Sequence, residues 1–397
     1  MSPPKRSLLA LAVLAVLSGA ALAADGPTVT TSGFGTAALT MTDTDDAEFV
    51  RPNQAAGVKK SPRPGVDSNF GFQVTAKFND WLSATGQGLV RKNATDNYGA
   101  ELAWAFVKMK ASDDFSFRVG RMGTPIYMIS DFRNVGYANT MIRPPAEVYR
   151  QVNGGAFDGA DVLFQHSYGD TTVTAQFGFG RALTRSVGSN VEFKPITALH
   201  LVVENGPVTL RFGRADAKFS VKDSASLSAL PVTVRSVGFG AVADQLSITD
   251  VKGSFTSVGT IVDWNNFLVQ AEYAVRKTDT RLVMDTTSWY AMFGYRIAKF
   301  TPYYYHGDIT QQSIRSFSTM PTTGPLAALT AGVNGAIKAA LQSTNALGVR
   351  WDFSSSAAFK FQVDRISPKE GAGAFINVKP GFKGPVNVYA AGIDFVF

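Results

Sequence analysis

Three histidines, His166, His200 and His306, are the side chains of this sequence best suited to proton transfer or metal ligation near neutral pH, and no cysteine accompanies them. Each falls on a separate stretch of strand-like sequence, without a carboxylate at the spacing of a metal site. No Gly-x-Ser-x-Gly turn presents a nucleophile, and no Gly-rich loop with its Lys cradles a phosphate. Gly33-Phe34-Gly35-Thr36-Ala37-Ala38 loosely matches a dinucleotide fingerprint. It lies inside an alternating strand rather than between a strand and a helix, so small residues that let a wall pack account for it better. A hydrolase would need Ser, His and an acidic or amide partner on one face, and none can be assembled. The chain is expected to hold no metal and no cofactor and not to be an enzyme.

The remaining chemistry is electrostatic. Residues 123–158 carry Asp131, Arg133, Arg143 and Glu147 together with Tyr127, Tyr137 and Tyr149, and Pro144-Pro145 stiffens the backbone before Glu147. Opposed charges across a narrow aqueous passage set up a transverse field that orders water, so polar solutes cross it more readily than apolar ones. Salt bridges that pin the segment to a wall are an equal alternative for each single charge.

The elements that would position these groups are strands. Leu347, Val349, Trp351 and Phe353 alternate with Gly348, Arg350 and Asp352, and Val173, Ala175, Phe177 and Phe179 alternate with Thr172, Thr174, Gln176 and Gly178. Phe267, Val269, Ala271, Tyr273 and Val275 repeat the pattern, the period-2 signature of a strand with two unlike faces. Sixteen such segments begin near Val29, Asn69, Leu82, Ala100, Phe115, Gly159, Thr171, Ile196, Val208, Gly253, Phe267, Ser288, Phe300, Thr344, Ala357 and Val386. Short turns alternate with long polar connectors, among them 42–68, 123–158, 181–195, 220–252, 310–343 and 368–385, as in an up-and-down transmembrane barrel. Arg118, Arg296, Arg350 and Lys360 fall on the inward parity, which a solvated lumen face explains. If 232–242 pairs as strands, the barrel would have eighteen; sixteen is the better count. Leu326, Leu329, Val333, Ile337 and Leu341 are spaced as on a short amphipathic helix over the mouth, with irregular loop packing weighed above it.

Alternation alone does not separate a soluble sandwich from a barrel. The chain closes on Tyr389, Ala391, Ile393, Phe395 and Phe397, every second residue apolar to the last, as outer-membrane barrels end. Lys5 and Arg6 precede an apolar run from Leu8 to Leu17 and then Ala21-Leu22-Ala23, which reads as a cleavable signal over residues 1–23 ahead of a barrel domain over 24–397. No later stretch reaches the roughly 20 apolar residues of a membrane helix. The 37 Gly, 29 Phe and 12 Tyr favour strands, turns and interfacial aromatics. Absence of Cys suits a chain that crosses an oxidising periplasm. The net charge of +7 falls to +5 when Lys5 and Arg6 leave with the signal, and no dense basic run with interleaved aromatics supports nucleic-acid binding.

On the signal, the 123–158 region and the terminal strand, the chain resembles the Gram-negative general porin family. Gly120-Arg121 ends a strand, a long third loop with carboxylates follows, and Tyr149-Arg150 leads into a Gly-rich sixth strand. The resemblance implies an all-β, 16-stranded antiparallel barrel in the outer membrane, with the third loop folded inward as a constriction. It implies Arg121 and Arg150 as basic wall against acidic Asp131 and Glu147, with Arg133 and Arg143 in the same loop. The first two strands depart from the family by placing Phe34 and Asn69 where a further basic residue is common. The resemblance also implies a homotrimer set in outer-membrane lipid and lipopolysaccharide, with Tyr389, Ile393, Phe395 and Phe397 read by the barrel-insertion machinery. The expected function is passive diffusion of ions and small hydrophilic solutes. A substrate-specific channel, with Tyr127, Tyr137 and Tyr149 as a stacking track, is the alternative, and a structural adhesion barrel carries less weight.

Overall fold

A computed structural model describes residues 26–152 and 154–397. The signal segment lies outside them. Sixteen strands form: β1 (Thr28–Thr42), β2 (Asn69–Lys77), β3 (Leu82–Lys92), β4 (Tyr98–Lys110), β5 (Phe115–Gly123), β6 (Ala156–Tyr168), β7 (Thr171–Ser186) and β8 (Ser189–Asn205). The second half adds β9 (Val208–Lys222), β10 (Val251–Trp264), β11 (Phe267–Thr278), β12 (Thr286–Tyr295), β13 (Phe300–Gln311), β14 (Gln342–Trp351), β15 (Ala357–Pro368) and β16 (Val386–Val396). Each pairs antiparallel with its neighbours in sequence, and β1 pairs with β16 to close the barrel. Closure leaves no free sheet edge facing lipid, which a membrane strand requires.

The two faces are inverted relative to a water-soluble protein. Leu347, Phe177, Phe179, Trp264 and Phe293 stand exposed, while Asp161, Gln176, Glu272, Asp364 and Asp394 are buried. Exposed apolar and buried polar parities belong to a wall with lipid outside and a polar lumen inside. The predicted alternation of β14 and β7 is therefore realised in the expected direction, with Leu347 65 % exposed and Gln176 6 %.

At the seam, β1 meets β16 through Gly33 N–H to the Phe397 carbonyl at 2.8 Å and Phe397 N–H to the Gly33 carbonyl at 3.0 Å. A Cβ on Gly33 would come within 2.2 Å of the Phe397 ring, and one on Gly35 within 2.5 Å of the Phe395 ring. The Gly33-Phe34-Gly35 stretch thus serves wall packing: aromatic rings cover the glycines of the opposite strand.

Three connectors differ from the sequence expectation. The segment 181–195 is not a loop, because β7 and β8 continue as a paired hairpin to a turn at Val187-Gly188, where Gly188 takes φ +71°. The segment 232–242 forms no extra strand pair; it lies in helices α2 (Ala225–Ser236) and α3 (Gly240–Asp244), so the eighteen-strand alternative is excluded. Near the mouth, α4 (Ala327–Ala336) does form a helix, overturning the preference for irregular packing. Its Val333, with Ile337, is buried against Val234 and Leu246 of the 220–250 loop, so two external loops share one apolar core. Burial of that common face supplies what short helices lack in isolation.

Candidate pore constriction

The third loop leaves the wall after β5, returns at β6, and runs inside the barrel. Its path is fixed mainly by wall side chains that bond its backbone. Ser257 of β10 donates to the Ile126 carbonyl at 2.6 Å, and Glu272 of β11 accepts from Met128 N–H at 2.9 Å. Across the lumen, Arg350 of β14 donates to the carbonyls of Tyr137 and Asn139 at 2.6 and 2.9 Å. Lys360 of β15, fully buried, donates to the carbonyls of Gly136, Asn139 and Met141 and pairs with Asp394 at 2.7 Å. A loop without regular structure must send its backbone groups somewhere; here lumen-facing side chains receive or supply them. Arg350 and Lys360 are on the inward parity as expected, yet they hold the loop rather than a free solvated wall.

Tyr127 and Tyr149 stack at 4.7 Å within a buried cluster that includes Phe255 and Tyr290. The Tyr149 hydroxyl donates to Glu272 at 2.7 Å. Tyr137 reaches the Ser355 carbonyl at 2.8 Å and carries the Arg350 guanidinium over its ring. These rings anchor the loop and do not form a continuous stacking track.

The predicted constriction charges scatter. Glu147, in the short helix α1 (Ala146–Tyr149), is 1 % exposed; its Oε1 accepts from Gln342 at 2.7 Å and Thr344 at 2.6 Å. It faces wall, not water, and Gly307 leaves room for its other oxygen. Asp131 pairs with Arg211 of β9 at 2.7 Å, and Arg211 also donates to the Met128 carbonyl. Arg121 shares the outward parity of Phe117 and Val119 and is held by both oxygens of Asp158 at 2.7 and 2.8 Å. Arg118 is inward, bound to Asp161 at 2.5 and 3.0 Å, whereas Arg296 lies beyond β12 in a turn, paired with Asp263. The opposed rows expected from Arg121 and Arg150 against Asp131 and Glu147 are therefore not formed. The physical reason is proximity: Asp131 and Arg121 are held by a partner at contact distance and Glu147 by the wall that buries it, rather than by a distant charge across water.

Arg143 is the principal clamp. Its guanidinium meets Asp67, in the first loop, through Nε at 3.0 Å and Nη2 at 2.7 Å, and Asp364 of β15 through Nη1 at 2.5 Å, while stacking over Phe49. Burial pushes the Asp67 carboxyl up, but Arg143 and Arg51 outweigh it and hold the group below the usual aspartate range.

Between the third loop and the wall of β1 to β7 lies a water-accessible space of about 480 Å³, bordered by Arg51, Arg91, Arg121, Arg133, Glu101, Asp131 and Asp158. Arg91 pairs with Glu101 at 2.8 Å, and Arg51 stands 3.9 Å from Asp67. Among the described residues Arg133 forms no ion pair; burial, then repulsion from Arg91, lowers its guanidinium. Burial likewise lowers Arg51, Asp67 pushes it back up, and Arg143, Arg91 and Arg133 pull it down. Four guanidiniums thus crowd one side of the passage. Arg121, Asp131, Arg133 and Arg143 were among the expected constriction residues, and all four border this space. Arg51, Arg91 and Asp67 were not, although the alternation of Gln87, Leu89 and Arg91 on β3 already places Arg91 on the inward parity.

A closed barrel with an apolar outer band, a polar lumen and an internal loop beside a charged passage defines an outer-membrane channel. The chain belongs to the Gram-negative porin family, whose pattern matches residues 10–311. OmpT of Vibrio cholerae in its trimer form is 16% identical, covering 94% of this chain and 99% of its own, with a TM-score of 0.54. OmpF of Salmonella typhi in complex with daunomycin is 13% identical over 95% of this chain and 99% of its own, TM-score 0.55. The outer membrane channel DcaP of Acinetobacter baumannii is 11% identical over 94% and 99%, TM-score 0.53. At these identities the likeness is one of fold. No curated protein matches the chain.

Proposed function

We propose that this porin is a passive diffusion channel for ions and small hydrophilic solutes, that it favours anions, and that it performs no catalysis. The observation that carries the reading is the guanidinium cluster of Arg51, Arg91 and Arg133 beside the passage, whose carboxylates are each already paired, Glu101 with Arg91, Asp131 with Arg211 and Asp158 with Arg121. A cleft in which one sign of charge is in excess concentrates the opposite ion. A unit charge at about 4 Å is worth about 1 kcal/mol even in bulk water, which is about a fivefold change in local ion concentration. The mature chain starts at residue 24 in this reading, and the assembly is a homotrimer. Support for the trimer comes from the family and from OmpT, recorded in a trimer form. The apolar outer surface of the early strands, with Leu39, Phe70, Phe72 and Val107 exposed, suits contact with either lipid or a second copy.

Planar-bilayer recording in a potassium chloride gradient tests the reading. Conductance in steps of three with a reversal potential on the chloride side is expected. Cation preference overturns the selectivity, and absence of conductance overturns the channel.

A further inference from the structure

The third loop divides the lumen unequally. Next to the guanidinium passage, with which it shares Val152, Gly154, Ala156 and Ala182, and between the two ends of the loop and the wall of β7 to β11, lies a recess of about 190 Å³. Its lining is apolar for the interior of a porin: Phe193, Ile196, Phe219, Val221, Phe255 and Val283. A dry apolar cavity of about 150 Å³ admits benzene, so this recess accommodates one ring with a short substituent.

Two cations border this apolar space, Arg150 at the loop exit and Arg276 of β11. Arg276 donates to the Met284 carbonyl through Nε at 3.1 Å and Nη2 at 2.9 Å, and to the Gln151 carbonyl through Nη1 at 2.7 Å. The bond to Gln151 fastens the third loop and the two to Met284 hold the connector between β11 and β12, but the acceptors are neutral, and a guanidinium has five N–H donors. Neither Arg150 nor Arg276 forms an ion pair among the described residues; the two repel each other, and Asp285, bonded to Thr278 N–H, acts on Arg276 only at a distance. Glu147 acts on Arg150 only at a distance, since its bonded oxygen is committed to Gln342 and Thr344. Charged groups half-withdrawn from water without a counter-ion attract one. Ring-sized apolar space beside two such cations calls for an anion with an apolar body.

We propose that this recess binds a small monocarboxylate carrying an aromatic or compact branched group, the carboxylate between Arg150 and Arg276 and the apolar body against Phe193, Phe219 and Phe255. The porin would then hold such acids at its mouth side before they cross, a substrate preference within the channel function proposed above, on which it rests. Inorganic anions satisfy the charge but not the apolar wall; uncharged rings satisfy the wall but leave the cations unpaired.

Isothermal titration of the folded protein in detergent with benzoate, acetate and benzyl alcohol tests the site without requiring conductance. Benzoate is expected to bind saturably and at least ten times more tightly than either of the others, a factor worth 1.4 kcal/mol. Ala217→Trp, which fills the recess with an indole, and Arg150→Gln should each remove that advantage. Equal affinity for benzoate and acetate in the unaltered protein overturns the proposal, as does undiminished benzoate binding in either folded variant. Chloride conductance measured on the same preparation separates the two readings: a conducting porin that ignores benzoate lacks the site, whereas one that binds benzoate and passes no ions refutes the channel.

Discussion

Arg143 and Asp67 form a two-pronged ion pair, Nε and Nη2 to the two carboxylate oxygens at 3.0 and 2.7 Å, between the middle of the third loop and the end of the first. Both side chains are nearly fully buried. Removing one partner of such a pair leaves an uncompensated charge, at a cost of about 3–5 kcal/mol. Arg143→Ala should therefore free the loop while the strands, which hold by their own ladders, remain. Higher and noisier single-channel current from a protein that still runs as a heat-modifiable barrel is the expected outcome; unchanged current would show that the clamp is redundant.

The same pair sets a pH limit. Asp67 is held below its ordinary value in the folded state, so its contribution is complete above the unfolded value of about 3.9. It is lost only as the pH falls through the lower, folded value. Loosening of the loop through loss of the Arg143–Asp67 contact, read as that noisier current, should set in only below about pH 4. An onset near pH 6 would assign the transition to another group.

Selectivity distinguishes the unpaired charges beside the passage from those that are paired or buried. Arg133→Gln should shift the reversal potential toward cations, because Arg133 is without a carboxylate partner beside the passage. Arg121→Gln should shift it less, since Asp158 beside it already matches that charge. Glu147→Gln should also be nearly silent in selectivity, its carboxylate being buried against Gln342 and Thr344. Equal shifts for Arg133→Gln and Arg121→Gln would sink this assignment.

Barrel closure depends on Phe397 lying over Gly33. Deleting Phe397 removes two backbone hydrogen bonds of the seam and the ring that covers the glycine, and Gly33→Leu places side-chain atoms where that ring sits. Both should lower the yield of membrane-inserted, heat-modifiable barrel. Wild-type yield from both variants would remove the seam from the assembly argument.

Lipid exposure can be checked in a chain with no native thiol. A cysteine at Leu347 should resist a water-soluble thiol reagent, while one at Arg91 should label rapidly. Leu347→Arg should cost about 2–4 kcal/mol if the residue meets the bilayer centre and less toward either interface. Fast labelling at Leu347 would invert the wall.

The strands were legible in the sequence because their information is local. Alternation along Leu347 to Phe353 fixes which side chains share a face, turn residues mark the reversals, and each of the sixteen strands overlaps the segment the pattern gives it, although β8 starts at Ser189 rather than near Ile196. The signal-like start and the aromatic end decided which face met lipid. Sequence reading failed where alternation was masked, in the hairpin through Val187-Gly188, and where helix and strand signals overlapped, in 232–242.

The constriction was not legible to the same degree. The third loop has no period to fix the direction of a side chain. Arg143 turns to Asp67 and Asp364, 76 and 221 residues away in sequence, and Glu147 turns to Gln342 and Thr344 on β14. Composition therefore determined that the loop would carry both signs of charge. Only the tertiary structure decided that its acids would be spent on the wall and that Arg133 would stand with Arg51 and Arg91 beside the water, because burial and long-range partners, not spacing, set the direction of each charge.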